Sequence, residues 1–442
     1  MQRGVYSRRN LSHSAAMADF DVIIRNAVGF PFLGIVDGKI AALDGDGTAK
    51  AECDATGLRI LPGVIDSHVH FNEPGRTEWE GLATGSRAAA AGGVTTFFDM
   101  PLNSDPPTVT VAAFQEKTAL AAEKSVIDFA LWGGLIAGHL DDIEPLFQAG
   151  AIGFKAFMSG SGIAEFPSAN LKTLHAGMKR AAPLGALVAV HAEFDHLNTN
   201  IGSTIRDYLD SRPIASEVAA IRAACDIAGE TGGALHIVHV SSAAGVAAVA
   251  EARAVGVNVT CETCPHYLFL EEADVERLGA VAKCAPPIRS RIERDALLQS
   301  LRLGQIDTIG SDHSPAPPSM KQDANFFKIW GGISGIQHLL PILFELNLTP
   351  TEISRLTSTN VANRFGLRSK GGLEMGRDAD FTLIRSQPET VTAESLFYRH
   401  PQSPYVGETF HASVSQTWLR GEIAWQRGRG FSERRGRLVT RH

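Results

Sequence analysis

Eight short apolar segments recur between residues 63 and 315 and alternate with longer, alanine-rich amphipathic segments. Strand-length runs separated by helix-length segments are typical of β/α units that build a parallel sheet. Eight such repeats over about 250 residues predict an α/β fold of the (β/α)8 (TIM) barrel type. A doubly wound open sheet explains neither the count nor the length, and no G-x-G-x-x-G motif follows the first strand. The segments are GVIDSHVH (63–70), GVTTFFDMP (93–101), VIDFALWGG (126–134), AIGFKAFM (151–158), ALVAVHAE (186–193), ALHIVHVSS (234–242), VNVTCETCPHYL (257–268) and IDTIGSDHSP (306–315).

Both ends of the chain have a different texture, with short alternating runs broken by turn residues. One end carries DVIIRNAV and GIVDGKIAAL, and the other carries ADFTLIR and VSQTWLRGEIAW. Asp37-Gly38 between two alternating runs is a hairpin signal. We therefore expect a small composite β-sandwich domain formed from both chain ends. The predicted division is a disordered leader or tail at 1–16, the β domain at 17–62 and 368–442, and the barrel at 63–367.

Charge and composition exclude several classes of protein. The chain has 41 Lys+Arg against 48 Asp+Glu, a net charge of −7, whereas a general nucleic-acid binder normally shows a basic face. The arginine-rich segment 427–437 is expected to be a solvated end and not a nucleic-acid patch. No apolar run approaches the roughly 20 residues of a membrane span, so no membrane partner is expected.

The leader and the cysteines bear on location. Residues 1–16 contain arginine and no acidic residue, and they lack the hydrophobic core of a secretory signal. A transit peptide is the alternative to a disordered leader there. Five cysteines in 442 residues are typical of reduced thiols in a cytosolic enzyme, not of a disulfide framework. The pair Cys261 and Cys264 is interpreted as core, and we expect a cytoplasmic protein.

Metal-ligating residue types cluster where the predicted strands end. In a (β/α)8 barrel the active site lies at the C-terminal ends of the strands. A single histidine at such a position is more often a core residue, but six polar side chains at five strand ends are hard to explain as packing. Imidazole and carboxylate ligands suit zinc and related first-row divalent ions. These candidate ligands are His68, His70, Lys155, His191, His239 and Asp312.

Spacing selects among neighbouring candidates. His68 and His70 differ by two positions, so on a strand they point to the same face and could bind one ion. His236 and His239 differ by three positions, so only one can join the site. We choose His239 because it is nearer the C-terminal end, and we expect His236 to be structural. Asp312 and His313 are adjacent, so their side chains also point to opposite sides, and we choose the carboxylate of Asp312 for the interior.

Lys155 leaves two alternatives open, because a protonated amine would be repelled by metal ions. It is either a structural or anion-binding residue, or its amine captures carbon dioxide and becomes a carbamate. A carbamate is an anion with two oxygens and could bridge two cations. The balance of charge around two divalent ions favours the carbamate.

Several motifs carry a resemblance to a known family. DSHVH (66–70), GFKAFM (153–158) and GSDHSP (310–315) resemble the cyclic amidases of the amidohydrolase superfamily, which include dihydroorotase, hydantoinase (dihydropyrimidinase) and allantoinase. Within that group the chain is most similar to the allantoinases. The segments that carry this likeness are NEPGRTEWEG (72–81), DMPLNSDPPT (99–108), KCAPPIR (283–289), SDHSPAPPSMK (311–321), KIWGGISGIQ (328–337) and YRHPQSPYVG (398–407).

The resemblance implies a two-metal hydrolase that converts allantoin to allantoate. It assigns one divalent ion to His68, His70, Lys155 and Asp312. It assigns the second ion to Lys155, His191 and His239, with Lys155 present as bridging N6-carboxylysine. It also implies zinc, with iron, cobalt or manganese as alternatives, Asp312 as the general base, and a homotetramer.

Departures from related sequences narrow the expected substrate to a neutral cyclic ureide. Dihydroorotases resemble His-x-His-x-Arg, but this chain has Asn72 at the arginine position. Hydantoinases carry a tyrosine shortly after the bridging lysine, and none follows Lys155 here. The alternatives are another cyclic amidase, such as a hydantoinase, dihydropyrimidinase or dihydroorotase, or a non-catalytic barrel scaffold. Retention of all six ligand positions argues against the scaffold. By motif position, the expected substrate contacts are Asn72, Asn103, Ser159, Ala285 and Gly332.

Overall fold

In the computed structural model, which describes residues 19–194, 202–433 and 436–441, all eight apolar segments contain parallel strands. The predicted leader at 1–16 lies outside the described residues. The strands are β1 (Phe20–Ala27), β2 (Phe30–Val36), β3 (Lys39–Ala42), β4 (Ala49–Asp54), β5 (Arg59–Pro62), β6 (Val64–Val69), β7 (Val94–Asp99), β8 (Asp128–Leu131), β9 (Gly133–Gly134), β10 (Phe154–Phe157), β11 (Leu187–His191), β12 (Ala234–Ile237), β13 (Val259–Thr263), β14 (Thr308–Ile309), β15 (Phe381–Arg385), β16 (Glu389–Thr390), β17 (Thr409–Phe410), β18 (Ser413–Leu419), β19 (Glu422–Gln426) and β20 (Gly430–Phe431). The α-helices are α1 (Leu82–Ala91), α2 (Val111–Lys124), α3 (Ile143–Gln148), α4 (Leu171–Ala181), α5 (Ile205–Ser211), α6 (Ile214–Thr231), α7 (Ala243–Ala254), α8 (Pro265–Phe269), α9 (Glu272–Leu278), α10 (Arg291–Arg302), α11 (Leu339–Glu345), α12 (Pro350–Ser354) and α13 (Asn360–Phe365).

The barrel consists of β6 to β14. Strands β6, β7 and β8 pair in parallel as one sheet, and β9 to β14 pair in parallel as a second. Only Trp132 separates β8 from β9, so the two sheets are continuous along the chain. The ring closes where His70 N donates to His313 O at 2.8 Å, beside a parallel bridge between Val69 and His313. The predicted (β/α)8 barrel is confirmed.

The outer helices are positioned by ordinary caps and apolar stripes. Helix α4 begins after Asn170, whose side chain accepts from Thr173 N at 2.9 Å. Its buried residues, Leu174, Gly177, Met178 and Ala181, recur at intervals of three and four and therefore lie on one face. The apolar faces of such helices cover the outside of the barrel, whereas the polar candidate residues lie at the ends of the strands.

The two chain ends form the second domain together. Strands β1 to β4 make one sheet, and β5 pairs with β15 in a second sheet of order β20-β19-β18-β15-β5. Residues from both ends, including Ile24, Leu33, Phe381 and Trp418, share one buried cluster between the sheets. Asp37 and Gly38 both have positive φ, as a tight turn between β2 and β3 requires. The expected composite β domain is confirmed.

The passage from the β domain to the barrel occurs at Gly63, between β5 and β6. A Cβ at this position would lie 2.2 Å from Thr95 Oγ1, so only glycine fits there. The exact domain limits, 62/63 and 367/368, stay predictions.

The segment 427–437 has exposed residues at Gly428, Arg429, Glu433 and Arg437, as expected of a solvated end, but its main chain is also tied to the rest of the molecule. Arg427 Nη1 lies 2.7 Å from Glu389 Oε1. Arg437 N donates to Asp128 Oδ1 at 2.9 Å, and Val439 N donates to Phe129 O at 2.7 Å. Main-chain pairing with β8, which composition does not reveal, therefore holds this segment.

All five cysteines are free, and four of them are buried, including Cys261 and Cys264. None of the helices in the described ranges is both long enough and apolar enough to cross a membrane.

Candidate metal centre and substrate cavity

Three of the predicted ligands converge at the junction of the first and last barrel strands. His68 Nε2 lies 3.3 Å from Asp312 Oδ1, and His70 Nε2 lies 3.4 Å from the same oxygen. All three side chains are buried, and one ligand atom from each lies within 4.8 Å of the others. Two imidazole nitrogens and a carboxylate oxygen at this separation could hold one divalent ion.

A second pair of imidazoles lies beside this group. His191 Nδ1 is 3.0 Å from His239 Nε2, and both side chains are buried. The His239 ring centroid is 5.3 Å from that of His68, and His191 stacks on Phe157 at 4.6 Å. The two groups are therefore neighbours in one site at the barrel mouth.

Lys155 is electrostatically coupled to both groups. Its side chain is wholly buried, and its Nζ has no hydrogen-bond partner among the described residues. Burial lowers its pKa to about 7, although Asp312 and Glu262 oppose the shift. Its charge in turn contributes to the lowered pKa values of His68, His191 and His239. An amine that is easily deprotonated, lacks a partner and lies close to two sets of metal-type donors fits a bridging carbamate.

Three of the histidines and Asp312 have pKa values that favour the protonation states that metal binding needs. Burial lowers the pKa of His68, His191 and His239, which keeps these imidazoles neutral. Burial alone would raise the pKa of Asp312, but His68 and His70 lower it to about 2. At neutral pH these three histidines are therefore neutral imidazoles, and Asp312 is a carboxylate.

Glu262, on β13, supports His68 and was not predicted as a functional residue. Its Oε1 lies 2.9 Å from His68 Nδ1, and its Oε2 accepts from Ser67 Oγ at 2.6 Å. A histidine that donates its Nδ1–H to a carboxylate leaves the Nε2 lone pair free for a metal. The signal in the sequence is a single carboxylate within the strand segment VTCET, where the neighbouring Cys261 and Cys264 are interpreted as core.

Glu193 supports His191 in a similar way and was also not predicted. Its Oε2 lies 3.3 Å from His191 Nε2, and the same oxygen pairs with Arg212. Burial would raise the pKa of Glu193, but Arg212 and His191 lower it to about 2. Each ligand group is therefore backed by a buried carboxylate.

The choices made from spacing agree with where the side chains lie. His236 Nδ1 lies 2.8 Å from Thr260 Oγ1, whereas His239 contacts His191. His313 Nδ1 accepts from Gly335 N at 3.2 Å, whereas Asp312 contacts His68 and His70. His239 and Asp312 have φ of +40° and +45°. Such backbone is costly for residues other than glycine and often marks functional sites.

The ligands open into a cavity of about 80 Å³ that suits a small ring compound. Of the five expected substrate contacts, Asn103, Ala285 and Gly332 line it. Asn72 Nδ2 instead points to Pro315 O at 3.4 Å. Ser159 is buried, and its Oγ has no hydrogen-bond partner in the described structure. The structure brings neither residue to the cavity wall.

The cavity wall carries no fixed positive charge. Over the described residues, no arginine or lysine lines it. Arg76, the basic residue nearest the first strand-end motif, lies 3.3 Å from Glu165 Oε2 and 3.4 Å from Asn103 O. Its guanidinium is thus already paired. Trp330 and Cys284, which were not predicted as contacts, do line the cavity.

Comparison with known proteins adds sequence and structural likeness over most of the chain. The model of the amidohydrolase family matches residues 59–424. An allantoinase from Solibacter usitatus is 51% identical over 88% of this chain and 88% of its own. An allantoinase from Rubrobacter xylanophilus is 47% identical over 96% of this chain and 98% of its own. Among solved structures, the L-hydantoinase (dihydropyrimidinase) from Arthrobacter aurescens superimposes with a TM-score of 0.90 at 32% identity, covering 96% of this chain and all of that chain.

Proposed function

Since the chain belongs to the amidohydrolase family, we propose that it is a cyclic amidohydrolase that opens the ring amide of allantoin to give allantoate. The observation that carries the proposal is the pair of buried donor groups, His68 with His70 and Asp312, and His191 with His239, at the mouth of a barrel. An enzyme of this kind needs such donors beside a cavity of small-molecule size.

A neutral substrate is supported by the cavity wall. A substrate carboxylate is best recognised by a guanidinium, which a neutral amide cannot replace. Asn72 occupies the position of that arginine in dihydroorotases, and Arg76 is paired with Glu165. Allantoin is neutral and offers urea N–H and C=O groups, which the amide of Asn103 can match. The side-chain oxygen of Asn103, Oδ1, is buried and has no hydrogen-bond partner among the described residues.

The donor set supports two divalent ions, with zinc as the proposed metal and iron, cobalt or manganese as alternatives. His68, His70 and Asp312 would hold one ion, and His191 and His239 the other. Lys155, as its carbamate, would join the two. Such ions lower the pKa of a water molecule toward neutrality and polarise the carbonyl under attack.

Asp312 is proposed to move the proton. Its low pKa makes it a carboxylate at neutral pH, so it can accept a proton from the attacking water. The same carboxyl group would then donate that proton to the departing ring nitrogen. Ala285 and Gly332, which also line the cavity, would contact the ring.

Two wider properties are also proposed. The likeness to the cyclic amidases supports a homotetramer, which light scattering of the purified protein would test. The five free cysteines support a reducing, cytoplasmic location.

A substrate panel tests the proposal. The specificity constant kcat/KM should be far higher for allantoin than for hydantoin, dihydrouracil or dihydroorotate. Preference for hydantoin or dihydrouracil would favour the hydantoinase alternative, which the solved structures resemble. Equal or better use of dihydroorotate would overturn the neutral-substrate argument. Activity lost in Arg76→Ala would then identify the cation responsible.

A further inference from the structure

A buried lysine, Lys283, and a half-buried one, Lys321, hold the backbone of one cavity wall. Lys321 Nζ donates to Trp330 O at 2.9 Å, Gly332 O at 2.7 Å and Ala280 O at 3.2 Å. Lys283 Nζ donates to Phe326 O at 2.6 Å and to Phe327 O at 3.2 Å. One lysine amine can donate to two or three carbonyl groups at once and thereby fixes their relative positions.

These bonds converge on Phe326–Gly332, which we call the wall segment. It contains only a single helical turn at Phe326–Lys328, so regular structure cannot fix the rest of it. It is also tied by Gly332 N, which donates to Lys283 O at 2.8 Å, and by Trp330 N, which donates to Met320 O at 2.9 Å. Removal of either lysine would therefore take away hydrogen bonds that two carbonyl groups of the wall segment accept.

Trp330 is the side chain that the wall segment presents to the cavity. Its ring packs edge-on against Trp79 at 4.8 Å and lies 3.5 Å from where a Cβ at Gly162 would sit. Its indole Nε1–H is buried and has no acceptor in the described part of the chain. A buried donor without an acceptor is costly, so its presence at a cavity points to a ligand acceptor.

We propose that the Trp330 N–H donates to the ureido carbonyl of allantoin, and that Lys283 and Lys321 are positioning residues for it. The inference rests on the proposed function. The reacting ring amide must lie against Asp312 and the buried imidazoles, whereas Trp330 lines the cavity from the wall segment, where it is half-buried and packs on Trp79. The ureido arm is the part of the substrate that is remote from the reacting amide, and it carries a carbonyl acceptor.

The experiment compares kcat and KM for allantoin in Trp330→Phe, Lys321→Met and the wild type, with metal content measured in each. Trp330→Phe keeps the ring and loses the N–H. A contact made equally before and during reaction affects KM alone. We expect KM to rise about tenfold, with kcat and bound metal unchanged. Unchanged KM in Trp330→Phe, or a fall in kcat alone, would overturn the assignment.

The lysines are tested by a double-mutant cycle. If Lys321 acts through Trp330, Lys321→Met should raise KM, and adding Trp330→Phe should raise it little further. Independent, additive effects would contradict a positioning role. Lys328→Met, an exposed lysine of the wall segment, is the matched control and should behave as wild type. If Lys321→Met fails to fold, Lys283→Met takes its place in the cycle.

The proposed function and the role of the wall segment can be refuted separately. A wild-type protein that does not hydrolyse allantoin would refute the proposed function. A wild-type protein that hydrolyses allantoin, with KM unaffected in Trp330→Phe, would refute only the role of the wall segment.

Discussion

Lys155 and Lys117 are both wholly buried lysines, and their surroundings lead to different expected chemistry. Lys117 Nζ lies 2.6 Å from Asp99 Oδ2 and donates to Met100 O at 2.8 Å. Lys155 Nζ has no such partner among the residues described, and burial lowers its pKa to about 7. A neutral amine reacts with carbon dioxide, and an ion-paired ammonium does not. Only Lys155 is therefore expected to become a carbamate.

Labelling with carbon-13 bicarbonate tests this expectation by NMR. The metal-loaded protein should give one carbamate signal, and Lys155→Ala should remove it together with bound metal and activity. Short carboxylic acids should restore part of the activity, because they can supply the missing bridging oxygens. A fully metallated wild-type protein with no carbamate signal would contradict the bridging role.

Asp312→Asn should separate proton transfer from folding. The amide keeps the shape of the side chain but cannot accept a proton, and general acid–base catalysis is typically worth about 10²–10⁴-fold. We expect kcat to fall by at least the lower end of that range. The fold should be retained, as measured by circular dichroism. Near-wild-type turnover with both metals bound would mean that another group moves the proton.

Residue positions were predictable where strand geometry decides them, and not where contacts cross the barrel. The two-residue period of a strand led to choices at His68 and His70, and at His236 and His239, that agree with the contacts of these side chains, although His70 and His239 lie just past the ends of β6 and β12. Glu262 is 194 positions from its partner His68. No local pattern indicates that pairing, because it depends on how β13 faces β6 across the barrel.

At the scale of a strand, β13 supports the proposed metal centre although none of its residues is a predicted ligand. Glu262 points inward to His68 and Ser67, whereas Cys261 Sγ lies 3.7 Å from Gln305 O on the outside. Glu262→Gln should weaken metal binding about 10–100-fold, because loss of such a supporting carboxylate has that typical effect. Titration of the apoprotein with zinc measures it.

Glu251→Gln is the control for Glu262→Gln. Glu251 is an exposed carboxylate paired with Arg222, and its replacement should leave zinc affinity unchanged. Equal zinc affinity in Glu262→Gln and the wild type would show that the His68 orientation is set by packing alone.

Element types followed from the sequence more closely than element boundaries. The segment 126–134 was expected to form one strand, but it divides into β8 and β9 around Trp132. Trp132 Nε1 donates to Ser67 O at 3.0 Å, a contact across the barrel that apolar periodicity cannot indicate. The pairing of Val439 with β8 was missed for a related reason: main-chain bonds carry no composition signal.

At the scale of the whole molecule, a buried charge cluster joins the barrel to the β domain. Lys370 Nζ lies 2.8 Å from Asp128 Oδ2 on β8 and 2.6 Å from Asp380 Oδ2 beside β15. Asp378 Oδ2 is 3.3 Å away, and Arg420 pairs with Asp128. The ammonium group of Lys370 therefore links a carboxylate of the barrel to two carboxylates of the β domain, a contact that the sequence alone did not indicate.

Lys370→Met should destabilise the protein by about 3–5 kcal/mol, because it leaves buried carboxylates without their partner. Lys39→Met is the matched control. Its ammonium lies 3.1 Å from Asp378 but is half exposed, so its loss should cost only about 0–1 kcal/mol. The measurement is the free energy of unfolding from urea titrations of the wild type and both variants.

The pH dependence of that difference identifies its electrostatic origin. Burial would lower the pKa of Lys370, but Asp380, Asp128 and Asp378 raise it above the ordinary value of a lysine. A raised folded-state pKa stabilises fully below the unfolded pKa of about 10.4, and the stabilisation is lost only as pH rises through the folded value. The gap between wild type and Lys370→Met should therefore stay constant between about pH 6 and 9. A gap no larger than that of Lys39→Met, or one that does not shrink as the pH rises above about 10.4, would mean that apolar packing and not this ammonium joins the two domains.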